Sequence, residues 1–322
     1  MTPAFSQRVT SEEWRSGAER WIGDRLAERA IAPTGPIEQR RVRPWSTQLT
    51  VPTTAGTVWF KANCAAMAHE PAVHAALAGI DDDIAAPLAI EADEGWLLTL
   101  DAGSTLAGDE SPSSDDWRTV MHLAARLQRA VIVHRHVLIA AGLPDHSPST
   151  AGRRFDELVD AFSSLPDEHP SRLDADRRRQ LVAARTRLIE AADELGASPL
   201  PATFQHGDLH PGNVFAGDTG LRLFDFGDAQ WAHALEVLVV PMGIVGRSDD
   251  VDWDVVWEAY TDGWNGVASP SEMEPLLAAA ELTHAVNRSA TWWAAVAEAT
   301  AAELADWGDA PLGHLLRVLD AA

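Results

Sequence analysis

The apolar residues of this chain change their period near residue 100, so a single sheet or a single helical bundle does not accommodate the whole. Up to that point they fall in short β-like runs: IEQRRVR, QLTV and TVWFKAN, then PLAIEAD and GWLLTLD. RPWST and PTTAG separate the first three runs, the second break carrying Pro52 and Gly56, and the last two runs join at Glu94-Gly95. PAVHAALAGI reads as a short helix after the third run. A helix over residues 11–30 precedes them all, with Trp14, Ala18, Trp21, Ile22 and Leu26 on one face. The expectation for this part is a small antiparallel sheet with one inserted helix. From Asp115 the spacing becomes helical: Trp117, Val120, Met121, Ala124, Leu127 and Val131 predict a helix to about Ala140. Further helices are expected over 151–164 and 171–195. A β interlude follows at ATFQH and VFAGDTGLRLFDF, the latter a hairpin turning at Gly217-Asp218-Thr219-Gly220. Residues 230–322 read as helical, with Trp253, Trp257, Tyr260 and Trp264 as a core stripe. The fold class is α+β, a small sheet unit before a larger, mainly helical one.

Composition narrows what such a chain does. Its 322 residues suffice for two lobes, each with its own core. Hydrophobic residues at 46% and charged ones at 23% describe a globular protein. A net charge of −23 lacks the basic footprint of a nucleic-acid binder and reads as an ordinary acidic surface rather than a lure for cations. MTPAFSQRVTSEEW is polar from its start, unlike a signal peptide, and ALEVLVVPMGIVG is too short, and broken by Pro241, for a membrane span. Cys64 is the single cysteine, which excludes an intrachain disulfide and a cysteine-rich zinc site. The cytoplasm is the expected compartment.

Lysine and arginine together number 25, and all but one are arginine. The one lysine, Lys61, follows Val58, Trp59 and Phe60 in an apolar strand. An accidental survivor of coding bias would lie on the surface. A compact ammonium, however, fits between a glutamate and phosphate oxygens where a broader, planar guanidinium needs different space. Two later motifs give this a context: QHGDLHPGNVF at 205–215 and LRLFDFGDA at 221–229. Phosphoryl transfer from ATP needs a carboxylate near the acceptor hydroxyl, ligands for Mg²⁺ and a cation against the phosphates. Asp208 and Asn213 have the D-x-x-x-x-N spacing of a kinase catalytic loop, and Asp225 opens Asp-Phe-Gly after a hydrophobic strand. Lys61 stands on the third strand of the small sheet, the place of a phosphate-binding lysine.

HGDLHPGN followed by FDFGDA resembles the aminoglycoside phosphotransferase and choline kinase-like family, small-molecule relatives of protein kinases whose catalytic loop carries His-Gly-Asp in place of His-Arg-Asp. The resemblance covers most of the chain, with VWFKA as the lysine strand and WLLTLDAG as the hinge. It implies a bilobal protein-kinase-like fold: an N-lobe over residues 1–100 and a C-lobe over 101–322 that holds the catalytic loop, the metal site and a helical acceptor region. It implies Asp208 as catalytic base, Asn213 and Asp225 as Mg²⁺ ligands, and Lys61 on the α- and β-phosphates of ATP. Thr99, Leu100 and Asp101 would form the hinge whose backbone meets adenine. Glu70 is the candidate partner of Lys61. Pro71 puts it in the first turn of its helix, where the dipole alone favours a carboxylate, whereas the family holds this residue deeper. No G-x-G-x-x-G occurs; Ser46 and Thr47 in RPWST are candidate phosphate donors, with an ordinary tight turn as the alternative.

His206 and His210 suit bracing of the loop better than metal ligation. Asp228 either assists the metal or caps the next helix. Glu281, His284, Asn287, Arg288 and Trp292 have the spacing to line an acceptor pocket, and Glu272, Glu274, Glu298 and Asp306 could attract amines; each is otherwise a solvated helix face. The expected activity is ATP- and Mg²⁺-dependent phosphorylation of a hydroxyl on an amino sugar, sugar, aminoglycoside or amino alcohol. A metal-dependent phosphoesterase would carry Gly-Asp-x-x-Asp-Arg-Gly and Gly-Asn-His blocks, which are missing, and would leave Lys61 without a task. A regulatory pseudokinase would not need all four core positions. The expected partner is a small hydroxyl acceptor, with no nucleic acid and no membrane.

Overall fold

The computed structural model describes residues 3–108, 111–217 and 220–320. It opens with α1 (Phe5–Val9) and α2 (Glu12–Ala27). Ser11 caps α2 by accepting from the Trp14 amide. The strands β1 (Glu38–Val42), β2 (Ser46–Thr53), β3 (Gly56–Asn63), β4 (Ala89–Glu91) and β5 (Trp96–Leu100) form one antiparallel sheet in the order β1-β2-β3-β5-β4. The inserted helix, α3 (Glu70–Ala78), follows β3 as its sequence predicts.

Strand alternation decides which face of this sheet is which. Val58, Phe60 and Ala62 of β3 are buried together with Leu49, Val51 and Leu98, under Ala18, Ile22 and Leu26 of α2. Trp14, Trp21, Phe60 and Trp96 meet there in edge-on and tilted pairs. Trp59 and Lys61 therefore face the other way. β2 is longer at both ends than QLTV: it starts at Ser46 and runs through Pro52, which pairs with Thr57. The Pro52 carbonyl accepts from Thr34, so the side of this residue that lacks an N–H faces away from β3 and costs the ladder nothing.

The rest of the described chain is mainly helical. The helix predicted from Asp115 is two, α4 (Ser114–Val131) and α5 (Arg135–Ala140), separated by a 3-10 turn at Ile132–His134. Val131, Ile132 and Val133 are β-branched in succession and crowd a helical turn. Next come α6 (Ala151–Ser163), α7 (Ala175–Ala197), β6 (Ala202–Gln205), and the hairpin β7 (Val214–Gly217) and β8 (Gly220–Leu223). Gly217 pairs with Gly220 as the predicted hairpin requires, though its Asp218-Thr219 tip lies outside the described residues. Residues 230–322 are not wholly helical: β9 (Gln230–His233) pairs antiparallel with β6. All four residues of β9 are buried, so no period of two marks it in the sequence. The helices α8 (Val239–Val245), α9 (Trp253–Gly263), α10 (Pro270–Met273), α11 (Leu277–Ala295), α12 (Ala301–Trp307) and α13 (Ala310–Asp320) complete the fold. Tyr260 and Trp264 are fully buried, with Trp253 and Trp257 packed against the same core. Among the described residues, no helix is long and apolar enough to cross a membrane.

A buried polar network sets the position of α11. Glu236 accepts from the Thr283 hydroxyl at 2.8 Å and the Asn287 amide at 2.7 Å, and Asn287 accepts from Arg154 of α6 at 2.6 Å. Burial pushes the Glu236 carboxyl up to about 7, against these donors and the Arg154 charge. The folded chain thus holds this proton more tightly than the unfolded one. The resulting stability is complete below about pH 4.5 and is lost as pH rises through about 7, a change on the order of 3 kcal/mol. Glu236→Gln should remove that slope: melting temperatures of variant and wild type, measured from pH 4.5 to 8, should diverge in the variant's favour as pH rises.

Candidate active site

β3 delivers Lys61 to the face of the sheet opposite α2, in a row with Gln48 of β2 and Leu97 of β5. Its Nζ lies 2.6 Å from Glu70 Oε2 and 2.7 Å from Asp225 Oδ1, and only 13% of the side chain is exposed. Glu70 is the first residue of α3, as Pro71 implies, yet it is buried and paired. What holds it is Asn63, two residues beyond Lys61 on the same face, whose Nδ2 donates to Glu70 Oε2 at 2.9 Å and to the Gly95 carbonyl at 3.3 Å. Asn63 was not singled out from the sequence, although strand alternation after Lys61 points to it. Burial opposes the Lys61 ammonium, but Asp225 and Glu70 outweigh it and raise its pKa above the ordinary lysine value. The same ammonium holds the Asp225 carboxyl down against burial, aided by Arg41 and His206. For Glu70 the balance goes up: burial, with the Asp225 charge, outweighs Lys61 and the Asn63 amide and raises its carboxyl above the ordinary value.

The second half of the site is built on the β7–β8 hairpin. Asn213 ends a 3-10 turn just before β7, and Asp225 follows β8, so antiparallel pairing brings them to the same end; the Phe224 amide donates to the Asn213 carbonyl at 3.2 Å. Asn213 Nδ2 donates to the Asp208 carbonyl at 2.9 Å, which leaves its side-chain oxygen for the cavity. Asp225 has φ +64°, a left-handed conformation that costs a non-glycine residue about 1–3 kcal/mol and commonly marks a functional position. His206 braces the loop: its Nε2 bonds the Phe224 carbonyl at 2.9 Å and its Nδ1 accepts from the Asp208 amide at 3.4 Å. His210 accepts from Gly212 at 3.0 Å. Both serve the loop as the sequence predicts. Gly207 between them has φ +84°, and a Cβ there would lie 2.0 Å from the Asp228 carbonyl oxygen.

Asp208 and Asp228 are bridged from α11. Arg288 reaches Asp208 Oδ1 at 3.0 Å and Asp228 Oδ1 at 2.8 Å, itself only 8% exposed. Asp228 therefore pairs with a guanidinium and caps no helix, since a strand follows it. Burial pushes its carboxyl up, against Arg288. For Asp208 the balance goes the other way: burial is overcome by His210, 3.6 Å from Oδ2, and by Arg288, which together lower its pKa to about 2. The carboxylate is thus permanently ionised near neutral pH, with one oxygen held by Arg288 and the other turned toward His210.

Two connected cavities meet at Lys61. An apolar cleft of about 290 Å³ is lined by Trp59, Leu97, Leu223 and the stacked rings of Phe215 and Phe224, centroids 3.8 Å apart. Thr99, Leu100 and Asp101 all border it, but differently. Thr99 pairs with Trp59 in the ladder and the Asp101 amide donates to Thr57, so the backbone groups of both face β3. Leu100 faces the other side, past the end of β4, whose pairing stops at Leu98; its backbone edge is open. The second cavity, about 360 Å³ and polar, holds Ser46, Lys61, Asp208, Asn213, Asp225, Asp228, Arg288 and Trp292. Thr47 is excluded from it, because its hydroxyl donates to the Arg41 carbonyl at 2.8 Å. Of the acceptor candidates, Arg288 and Trp292 reach this cavity. Asn287 and His284 are buried in α11, Glu281 borders a separate surface hollow, and Glu272 caps α10 through Ser269. Asn213 and Asp225 supply one amide and one carboxylate oxygen, a donor set that suits Mg²⁺ completed by phosphate oxygens and water.

Known proteins resemble this chain in sequence pattern and in fold. The sequence model of the phosphotransferase enzyme family matches residues 55–269. No curated protein matches the sequence directly. Among solved structures, the choline kinase LicA from Streptococcus pneumoniae is similar with a TM-score of 0.61 at 12% identity, over 95% of this chain and 98% of that one. The macrolide 2'-phosphotransferase MphH from Brachybacterium faecium gives 0.56 at 17% identity, over 91% and 97%. An ethanolamine kinase from Plasmodium vivax gives 0.64 at 9% identity, over 97% and 89%. At these identities the likeness is one of fold, bilobal and protein-kinase-like.

The close approach at Gly207 yields a direct check. Gly207→Ala must displace either Asp208 or the Asp228 backbone, and a shift of about 1 Å at a reacting group costs on the order of a hundredfold in rate. The variant should lose at least that much turnover while its circular dichroism spectrum stays native.

Proposed function

The chain belongs to the phosphotransferase enzyme family, and we propose that it transfers the terminal phosphoryl group of ATP, with Mg²⁺, to a hydroxyl of a small polar molecule in the cytoplasm. The observation that carries this reading is that Lys61, Asn213, Asp225 and Asp208 all line one polar cavity, joined through Lys61 to an apolar cleft. The cleft suits a purine against Phe215 and Phe224, with the open backbone edge of Leu100 as the hinge contact. Lys61 and Ser46 are assigned to the phosphates, with Glu70 positioning the ammonium. Asn213 and Asp225 are assigned to Mg²⁺, which when bound would neutralise phosphate charge. Residues 1–100 and 101–322 are taken as the two lobes, since β5 ends at Leu100.

Asp208 aligns the acceptor hydroxyl through the oxygen that Arg288 leaves available. With a pKa of about 2 it is a weak base, so it orients the hydroxyl in the ground state and takes the proton late, once the oxygen has grown acidic. Positioning and charge stabilisation, rather than strong base catalysis, supply the rate. Macrolides, choline and ethanolamine, named for the similar structures, share the feature required here, a hydroxyl on a small molecule. Trp292, whose ring packs with the Arg288 guanidinium and the Trp307 ring, borders the cavity near Asp208 and would contact the carbon skeleton of a sugar or an amino alcohol there.

A panel of sugars, amino sugars, aminoglycosides and amino alcohols, screened for acceptor-stimulated ADP release, tests the activity. At least one class should stimulate release, and chelation of divalent metal should abolish it. Asp208→Ala should abolish turnover with ATP binding retained; normal turnover in that variant contradicts the assignment. Lys61→Arg should impair turnover although charge is conserved, because the guanidinium does not fit between Glu70 and Asp225.

A further inference from the structure

The row of the sheet that carries Lys61 carries a second cation. Arg41, Gln48, Lys61 and Leu97 are successive register partners across β1, β2, β3 and β5, so their side chains share the cleft face. Arg41 reaches that face through a β-bulge. Gln39 pairs with Leu49 and Arg41 with Gln48, which makes Arg40 an extra residue in β1. In a regular strand Gln39 and Arg41 would point the same way. The extra residue leaves Gln39 on the side of Leu49, where its amide donates to Thr47 Oγ1 at 2.8 Å and to the Val9 carbonyl at 3.3 Å. It turns Arg41 toward Gln48 and Lys61.

The two arginines of the bulge are used differently. Arg40 is exposed, paired to Glu38 at 2.8 Å, and donates to the Thr50 hydroxyl at 2.9 Å. Arg41 lines the polar cavity with Lys61, Asn213 and Asp225. Among the described residues its guanidinium makes one long contact, 3.4 Å to Ser46 Oγ, and its Nε is buried without a partner. Lys61 has two carboxylates against its charge, whereas Arg41 forms no ion pair among the described residues and keeps most of its donors for the cavity. It stands on the side of Lys61 away from the hinge, in a hairpin where no glycine-rich loop offers backbone amides.

We propose that Arg41 binds the terminal phosphates of the nucleotide, its guanidinium fork supplying what backbone amides supply in a glycine-rich loop. The inference rests on the kinase reading above. A planar fork suits phosphate oxygens in pairs, and the bulge fixes where it points.

Calorimetric titration of ATP, ADP and adenosine, with Mg²⁺, into wild type, Arg41→Met and Arg40→Met tests it. Arg41→Met should weaken ATP binding by about ten- to a hundredfold, the loss of charge-assisted hydrogen bonds, and leave adenosine affinity unchanged. Arg40→Met should bind all three as wild type does. Arg41→Lys, which keeps the charge and loses the fork, should fall between, and it answers the same question if Arg41→Met does not fold. Wild-type ATP affinity in Arg41→Met, or an equal loss for ATP and adenosine, overturns the proposal. Wild type that binds adenosine and ATP equally, or neither, overturns the kinase reading itself, and the role of Arg41 with it.

Discussion

One ammonium ties the site together. Lys61 Nζ is shared between Glu70 and Asp225, so a strand of the small sheet, the helix after it and the turn after β8 meet at a single charge. Each carboxylate is otherwise costly to bury, and each has the same ammonium against its charge. The arrangement also explains why a chain that uses arginine everywhere else keeps a lysine here. The two oxygens leave a compact donor room at 2.6 and 2.7 Å, and a guanidinium would force one of them apart.

The other constraints are backbone ones. Asp225 occupies a left-handed conformation at the mouth of the hairpin, and Gly207 fits against the Asp228 carbonyl only because it has no Cβ. Around them the polar groups are spent on each other: His206 on Phe224, Asn213 on Asp208, Arg288 on Asp208 and Asp228. Among the described residues these contacts leave the side-chain oxygen of Asn213 and the second oxygens of Asp208 and Asp225 to the cavity, where on the proposed reading a metal and a hydroxyl would meet them. Preorganisation of this kind places the cost of ordering in folding rather than in turnover.

Much of this was legible in the residues. The switch of period marked the sheet and the helical part, and Lys61, Asp208, Asn213 and Asp225 could be placed because each sits in a short motif on a recognisable element. The misses have physical causes. β9 is buried on both faces and shows no alternation. Asp228 stood open between assisting a metal and capping a helix, and the second alternative arose because the strand after it reads as helix. Arg288 was seen as one of several α11 residues, but only the fold shows that it faces Asp208 while Asn287 beside it turns to Glu236. Arg41 depends on a bulge, and a one-residue change of register leaves no trace in composition or spacing.

The central claim is that Glu70 acts through Lys61 rather than beside it. A double-mutant cycle on MgATP affinity tests this directly, with Lys61→Met, Glu70→Gln and the combined variant. If the glutamate only positions the ammonium, its loss does nothing further once Lys61 is gone, and the coupling should be about 1–3 kcal/mol. Independent, additive losses would contradict the account.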